Sequence, residues 1–212
     1  MQRRARREAV VDVWPAFSDL MLAFVLVLTL LLVFQVGRNI QISSDAEVRL
    51  QRKIWRDQEQ VKRIVVELQQ RYGGIRNEVD GNSQEITFGG TTLFESGSAD
   101  LHRQGRALLT ELARRIVDAK LCTLREITVK GHTDDARITN RRFDSNWELS
   151  AVRATRIVRF FTESDAATRI DPHVVTLVAS GYGEFSPAGS DRNRNRRIEM
   201  RLVYTNRECS TR

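Results

Sequence analysis

The sequence predicts an α+β fold, a two-layer α/β sandwich with a mixed sheet, preceded by a single transmembrane helix and a short coiled-coil stem. Residues 16–36 are apolar and contain a single ionisable side chain, and residues 37–72 are polar and favour a helix. From residue 73 onwards, short alternating runs typical of strands are interleaved with runs at helical spacing. We therefore expect an N-terminal segment at 1–15, a membrane helix at 16–36, a helical stem at 37–72 and one domain at 73–212.

The apolar segment 16–36 is long enough to cross about 30 Å of hydrocarbon. Trp14 stands where an interfacial aromatic belongs, and Pro15 can occupy the first helical turn. A cleaved signal peptide would have a shorter apolar core and a small-residue cleavage site, so a retained anchor is favoured. The positive-inside rule then predicts a cytoplasmic N-terminus and a domain outside the cytoplasm, because four basic residues precede the anchor: Arg3, Arg4, Arg6 and Arg7.

The stem 37–72 carries an apolar stripe with alternating steps of three and four residues. Asp57 occupies the one position of the stripe that is not apolar. This spacing favours a short coiled coil and a homodimer, and the alternative is an amphipathic helix that packs on its own domain. The stripe consists of Leu50, Ile54, Val61, Ile64 and Leu68.

The domain begins with a hairpin signal, Asp80-Gly81, between two alternating runs. Asn146 stands where it can cap the second of two predicted helices. The net charge of +7 first suggests nucleic acid, but the charge is spread thinly along the chain and we expect no such partner. The remaining predicted elements are a helix at 101–119, a strand at 126–133, a helix at 147–161 and strands at 174–183 and 196–204.

Four motifs follow one another in this region: GHTDD at 131–135, SNWELSAVRAT at 145–155, GYGEFSP at 181–187 and NRRIEMRL at 195–202. Together they resemble the signatures of the OmpA-like peptidoglycan-binding domain, and the resemblance covers about 88–204. It implies a β/α/β/α/β/β fold in the periplasm that binds the stem peptide of peptidoglycan through its diaminopimelate.

The resemblance also implies a set of binding residues. Asp134 and Arg153 are the expected ligands of the ammonium and carboxylate groups of diaminopimelate, a pairing that suits an acid and a planar guanidinium. The residues that would complete the pocket are Asn146, Leu149, and Arg196 or Arg197. Without the motifs, Asp134 would be read as a loop acid that accepts backbone hydrogen bonds and Arg153 as part of a solvated helix face.

The apolar segment also resembles the helix of MotB-type stator subunits and of ZorB, the equivalent subunit of the Zorya anti-phage system. In those inner-membrane proteins the acid that matches Asp19 carries protons in a complex with a multi-pass partner of the MotA or ZorA type. An ionisable residue within a membrane segment is costly, and we therefore expect Asp19 to have a function. The alternative is that Asp19 only stabilises the start of the helix through the helix dipole. The sequence leaves open whether the ion is a proton or sodium.

Three assignments of the whole chain follow from these resemblances. The stem passes directly from Arg38 into a heptad-like helix, which favours a Zorya-type subunit. A flagellar MotB-type stator subunit is the first alternative. A passive cell-wall anchor is the second, and it would leave Asp19 unexplained.

A different functional class for this chain would be an enzyme. His132, Asp134 and Asp135 lie close in sequence and could bind a metal or supply an acid and a base. No further His or Cys is well placed to join them, so we expect no enzymatic activity, no catalytic residues, no bound metal and no cofactor.

The two cysteines, Cys122 and Cys209, are expected to form a disulfide in an oxidising compartment. In the OmpA-like fold, the strands that they flank are antiparallel neighbours. The alternative is a buried Cys122 and a free Cys209 in the tail.

Overall fold

The computed structural model describes residues 14–95, 97–138 and 142–205 and divides the chain into two compact units, Met1–Arg49 and Leu50–Arg212. Helix α1 spans Trp14–Tyr72 and therefore contributes to both units. Within the described residues, one segment, Phe17–Arg38, is long and apolar enough to cross a membrane. The predicted membrane segment is thus present as a helix. Residues 1–13 of the predicted cytoplasmic N-terminus lie outside the described residues.

The second unit contains a five-stranded sheet in the order β1-β2-β5-β3-β4. Strands β3 and β4 are parallel, and the other neighbouring pairs are antiparallel. The predicted hairpin is confirmed, because Asp80 pairs with Ser83 and Gly81 takes the positive φ of 53° that the tight turn requires. The strands are β1 (Ile75–Asp80), β2 (Ser83–Gly89), β3 (Leu124–His132), β4 (Thr176–Gly183) and β5 (Arg197–Tyr204).

Within the described residues, four helices follow β2. The two long ones complete the predicted β/α/β/α/β/β order, and the other two are short, with four residues each. Their bounds are α2 (Gly90–Leu93), α3 (Arg103–Asp118), α4 (Asn146–Glu163) and α5 (Arg192–Asn195). The cap of α4 differs from the prediction: the hydroxyl of Ser145 accepts the hydrogen bond from the amide of Glu148, and Asn146 is the first helical residue. The side chain of Asn146 is therefore available for another role.

Helices α3 and α4 share the core with one face of the sheet, on which large apolar residues alternate along the strands. On the other face, the same strands carry charged residues such as Lys130 and Glu199. This division gives the predicted two-layer sandwich. Core residues include Ile86, Phe88, Ile127, Val129, Met200 and Leu202 from the strands, and Leu108, Leu112, Ile157 and Phe161 from the helices.

The apolar stripe of the stem is buried in this same core. Ile54, Val61, Ile64 and Leu68 each have at most 9% of their surface exposed and pack with the residues of the domain. The coiled-coil interpretation therefore does not hold for these residues, and the alternative of an amphipathic helix on its own domain does. Because these side chains already pack within one chain, they give no support to the predicted homodimer, which stays a prediction.

Candidate functional site

The candidate site lies where β3 ends and α4 begins. Two strand glycines bring these elements together: a Cβ on Gly131 would lie 2.1 Å from the carbonyl oxygen of Ser150, and a Cβ on Gly181 would lie 2.6 Å from the amide nitrogen of Ala151. Only a residue without a side chain allows the helix to approach the strand backbone this closely. This packing fixes the start of α4 next to the loop that follows β3.

Asn146 connects the helix start to that loop. Its buried side-chain amide donates to the carbonyl oxygen of Ala136 at 3.0 Å and to that of Asp134 at 3.3 Å. On the strand side, the amide of Thr133 donates to the carbonyl of Gly183 at 2.9 Å. The backbone on both sides of Asp134 is thus held by hydrogen bonds.

The carboxylate of Asp134 is almost fully buried and accepts a hydrogen bond from Arg196 Nη1 at 2.6 Å. Arg196 itself is partly exposed and also donates to the side chain of Asn193. A buried carboxylate is therefore held by a cation that reaches it from the surface, a short charge-assisted pair. Asp134 is not the loop acid of the alternative reading, whose partners would be backbone amides.

Arg153 is buried, with 5% of its surface exposed. Its Nε donates to the carbonyl of Ser98 at 2.8 Å and its Nη2 to that of Glu95 at 3.2 Å, while the guanidinium lies 5.3 Å from the centroid of the Phe94 ring. Burial lowers the pKa of Arg153 to about 10, although the carboxylate of Asp134 raises it. Arg153 is thus a buried cation at neutral pH, not part of a solvated helix face.

Two arginines are associated with the Asp134 carboxylate: Arg196 forms an ion pair with it, and Arg153 lies near enough that the carboxylate raises its pKa. We call these three residues the Asp134 site. It holds one negative and two positive charges, so it can receive a carboxylate at an arginine and an ammonium at Asp134. An incoming ammonium has to share the Asp134 carboxylate with Arg196.

The other two predicted pocket residues have different surroundings. Leu149 is buried in a small apolar cluster with Ala99 and Phe143. Arg197 is buried and donates to Glu199 at 2.7 Å and to the carbonyl of Ser186 at 3.2 Å. The sequence left Arg196 and Arg197 as alternatives for the pocket. In the structure, Arg196 pairs with the Asp134 carboxylate and Arg197 pairs with Glu199.

Several contacts of the site were not predicted from the sequence. The carbonyls of Glu95 and Ser98 and the ring of Phe94 surround Arg153, yet backbone carbonyls carry no residue-type signal. Arg192 pairs with the exposed carboxylate of Asp135 at 2.7 Å and holds its pKa below the ordinary value. The basic residues at 192–197, at the start of the fourth motif and just before it, were the available signal for such pairs.

The remaining predicted residues lie elsewhere. Asp19 lies near the start of the membrane-length segment Phe17–Arg38, in the first unit. Cys122 lies in the turn before β3, whereas Cys209 is outside the described residues, so the disulfide stays a prediction. Within residues 14–95, 97–138 and 142–205, no cluster of three or more His, Cys, Asp or Glu side chains could hold a metal ion.

Comparison with known proteins gives matches to both sequence and structure. Residues 93–201 match the OmpA family. Motility protein B of Bacillus subtilis is 32% identical over 123 residues, which are 56% of this chain and 44% of that protein. Motility protein B of Helicobacter pylori strain J99 is 28% identical over 133 residues, 60% of this chain and 49% of that protein. The chain thus spans less than half the length of these curated relatives.

Solved structures show the same fold. A MotB-like protein from Desulfovibrio vulgaris superposes with a TM-score of 0.60 and 28% identity, over 74% of this chain and 99% of that chain. The cell wall anchor of the T6SS from Pseudomonas aeruginosa gives a TM-score of 0.53 and 25% identity, over 68% and 97% of the two chains. The periplasmic domain of Helicobacter pylori MotB, 22% identical with a TM-score of 0.56 over 68% and 87%, supports the fold alone.

Proposed function

This chain belongs to the OmpA family, and from that premise we propose that it is a peptidoglycan-anchored, ion-conducting, stator-type subunit of an inner-membrane motor. The observation that carries the proposal is the Asp134 site: the buried carboxylate of Asp134, just past the end of β3, is ion-paired with Arg196 and lies near enough to the buried guanidinium of Arg153 to raise its pKa. The names of its relatives, Motility protein B and a cell wall anchor, agree with it.

The wall-binding half of the proposal follows from the charges of the site. The end of a diaminopimelate side chain presents one ammonium and one carboxylate, and the site presents Asp134 and Arg153 for these groups, with Arg196 as a second cation. Arginine forms planar, paired hydrogen bonds with carboxylates, so this arrangement selects a zwitterion over a simple cation. Asn146 keeps the Asp134 loop in place, and Leu149 supports the neighbouring backbone.

The ion-conducting half rests on Asp19. A carboxyl group within a membrane segment is costly unless it is protonated or lines a polar path. A single helix cannot enclose such a path, so the function needs a multi-pass partner of the MotA or ZorA type and, by the proposal, a second copy of this chain. The proposed orientation has the N-terminus in the cytoplasm and the domain in the periplasm.

Within this class, we propose a Zorya-type defence subunit similar to ZorB. The supporting observation is that helix α1 continues without a break past the apolar segment to Tyr72, and β1 follows at Ile75. A flagellar MotB-type stator subunit is the second candidate, favoured by the relatives called Motility protein B. Genes beside this one discriminate the two: a multi-pass motor gene next to a helicase or nuclease gene favours Zorya, and a flagellar cluster favours motility.

The direct test of wall binding is co-sedimentation of the purified full chain with sacculi. Asp134→Asn keeps the size of the side chain but removes its charge, and Asp135→Asn, one residue further along, is the matched control because Asp135 is exposed and paired with Arg192. We expect binding to weaken about tenfold or more in Asp134→Asn, the loss of a charge-assisted pair, and to persist in Asp135→Asn. Unchanged binding of a folded Asp134→Asn chain contradicts the proposal.

A further inference from the structure

His102 lies between the segment that follows α2 and the start of α3. It is the N-cap residue of α3, and its ring Nδ1 accepts a hydrogen bond from the amide of Gly105 at 2.9 Å. Its ring Nε2 lies 2.9 Å from the carbonyl oxygen of Thr91 in α2, and its own amide donates to the carbonyl of Leu93 at 3.2 Å. His102 thus joins the two helices by three hydrogen bonds.

The two ring contacts fix the protonation state of His102. A backbone amide can only donate and a backbone carbonyl can only accept, so Nδ1 has to carry a lone pair and Nε2 a proton. The ring is therefore neutral, with its proton on Nε2. A second proton has to bind to Nδ1, and the amide of Gly105 then loses its acceptor. Because the residue is partly exposed, this proton can come directly from solvent.

The surroundings of His102 supply no carboxylate that compensates for the lost cap. The first turn of α3 contains no acid, and its charged residues are the basic Arg103 and Arg106. Helix α2 has the sequence GTTL and no ionisable side chain. The segment between the helices carries Glu95 and Asp100, and Asp100 is already paired with two arginines. Within the described residues, no ion pair joins an acid to His102.

The segment between α2 and α3 supplies the partners of Arg153. The carbonyls of Glu95 and Ser98 accept its two hydrogen bonds, and the ring of Phe94 lies 5.3 Å from its guanidinium. A buried guanidinium needs such acceptors, since water does not reach it. The position of Arg153 therefore depends on the position of this segment.

The base of the segment is closed next to His102. Phe94 and Leu101 form an antiparallel bridge, and His102 follows immediately. A Cβ on Gly105 would lie 2.4 Å from the carbonyl oxygen of Leu93, so the start of α3 lies directly against the end of α2. The cap at His102 thus holds together the two ends of the segment that positions Arg153.

We propose that His102 is a positioning residue for Arg153 and that protonation of its ring weakens ligand binding at the Asp134 site. The inference rests on the proposed function and adds an acid-sensitive control of the same site. Histidine is the side chain that ordinarily changes its charge between pH 5 and 8, above the range in which carboxyl groups are protonated. Without the cap, the start of α3 and the segment before it loosen, and the carbonyls of Glu95 and Ser98 hold Arg153 less firmly. The anchor should therefore release the wall in mild acid.

The test is co-sedimentation of the purified full chain with sacculi at about pH 7.5 and about pH 5.5. We expect the affinity of the unchanged chain to be about three- to tenfold weaker at the lower pH, since one capping hydrogen bond is lost. His102→Asn supplies a good capping acceptor that does not titrate, so its binding should stay strong at both pH values. His102→Ala has no acceptor and should bind weakly at both. His173→Asn, which replaces an exposed histidine in a turn, should keep the fall.

Hydrogen exchange reports the cap itself. The protection of the Gly105 amide should decrease between the two pH values in the unchanged chain and stay constant in His102→Asn. If the chain binds sacculi at neither pH, the proposed function fails. If binding is equal at both pH values, or if the fall survives in His102→Asn, the inference is overturned and the proposed function stands. Constant protection of the Gly105 amide in the unchanged chain overturns the inference in the same way.

Discussion

The carboxylate of Asp57 accepts two hydrogen bonds from Thr123, one from its amide nitrogen at 2.8 Å and one from its hydroxyl at 2.7 Å. Asp57 occupies the place in the apolar stripe of α1 where an apolar residue is missing. Thr123, which is fully buried, lies immediately before β3. The acid that interrupts the stripe thus joins the helix to the start of β3 by polar contacts, as the neighbouring Gln58 does to the carbonyl of Gly81.

We expect Asp57→Ala to lower the free energy of unfolding by about 1.5–3 kcal/mol, because it leaves the buried amide and hydroxyl of Thr123 without this acceptor. Asp57→Asn keeps one acceptor oxygen and should lose less. Urea denaturation of the full chain measures both. The neighbouring exposed Arg56 gives the control, since Arg56→Ala should change stability by no more than about 0.5 kcal/mol. Equal stability of Asp57→Ala and the unchanged chain contradicts the assignment.

Gly131→Ala tests the close contact between β3 and α4. The added Cβ would lie 2.1 Å from the Ser150 carbonyl, so the helix has to move away from the strand. We expect a loss of stability of about 1–3 kcal/mol and weaker sacculus binding, because Asn146 moves with the helix. Gly37→Ala is the control, as a Cβ on Gly37 meets nothing within 4 Å. Thermal unfolding and co-sedimentation of the same samples decide it.

Glu199 makes the stability of the domain sensitive to acid. Burial raises its pKa, but the neighbouring His132 and Arg197 outweigh burial and hold the pKa far below its ordinary value of 4.5. A carboxyl with a lower pKa in the folded state stabilises the fold above the ordinary value, and this contribution is lost as the pH falls below it. The unfolding free energy should therefore drop steeply from about pH 5 to about pH 3.

In Glu199→Gln the stability at neutral pH should be lower by about 1.5–3 kcal/mol, and its slope below about pH 5 should be shallower. Glu78→Gln, on the exposed side of the edge strand β1, should follow the unchanged chain. Parallel pH curves for Glu199→Gln and the unchanged chain would show that Glu199 contributes nothing to the acid sensitivity.

Asp19→Asn addresses ion conduction. We expect the variant to insert into the membrane and to assemble, while ion flux through the complex with the proposed multi-pass partner falls by about tenfold or more, because the amide cannot take up a proton. Asp19→Glu should retain part of the flux, and Ser18→Ala, the neighbouring residue, should retain all of it. Flux in liposomes, measured with proton and sodium gradients separately, identifies the ion. Full activity of Asp19→Asn excludes the carrier role.

The disulfide between Cys122 and Cys209 is tested by mass. Leu124, at the start of β3, pairs with Tyr204, at the end of β5, which is the strand arrangement on which the prediction depends. Unreduced protein from the periplasm should take up no alkylating label, and Cys122→Ser should lower stability by about 2–4 kcal/mol. Labelling of both cysteines without reduction rules out the bond.

The order of the elements could be predicted because each has a local signal. The tight turn at Asp80-Gly81 has its own residue types, and strand and helix periods differ enough to separate 126–133 from 147–161. The predicted capping residue of α4, Asn146, was wrong. Ser145 and Asn146 both have good capping side chains, and in the structure Ser145 has the extended backbone that a cap requires.

The packing of the stem stripe and the burial of Arg153 could not be predicted from the sequence. A stripe at alternating steps of three and four residues fits a second helix and a sheet equally well, so the position of Ile54 and Leu68 in the core was open. The burial of Arg153 depends on carbonyls of Glu95 and Ser98, which any residue type would supply. The role of Asp134 and Arg153 as a pair was suggested by motifs, not by spacing.

The burial of residues 54–68 in the core has a mechanical consequence. By the proposed function the chain is anchored at one end and driven at the other, and the resulting tension reaches the core along α1, through residues 54–68. Pulling along the helix stretches the contacts of Ile54, Val61, Ile64 and Leu68 together, along with the Asp57 hydrogen bonds. Contacts stretched in parallel share the force, so the domain resists extraction of this helix better than a chain that peels away one contact at a time.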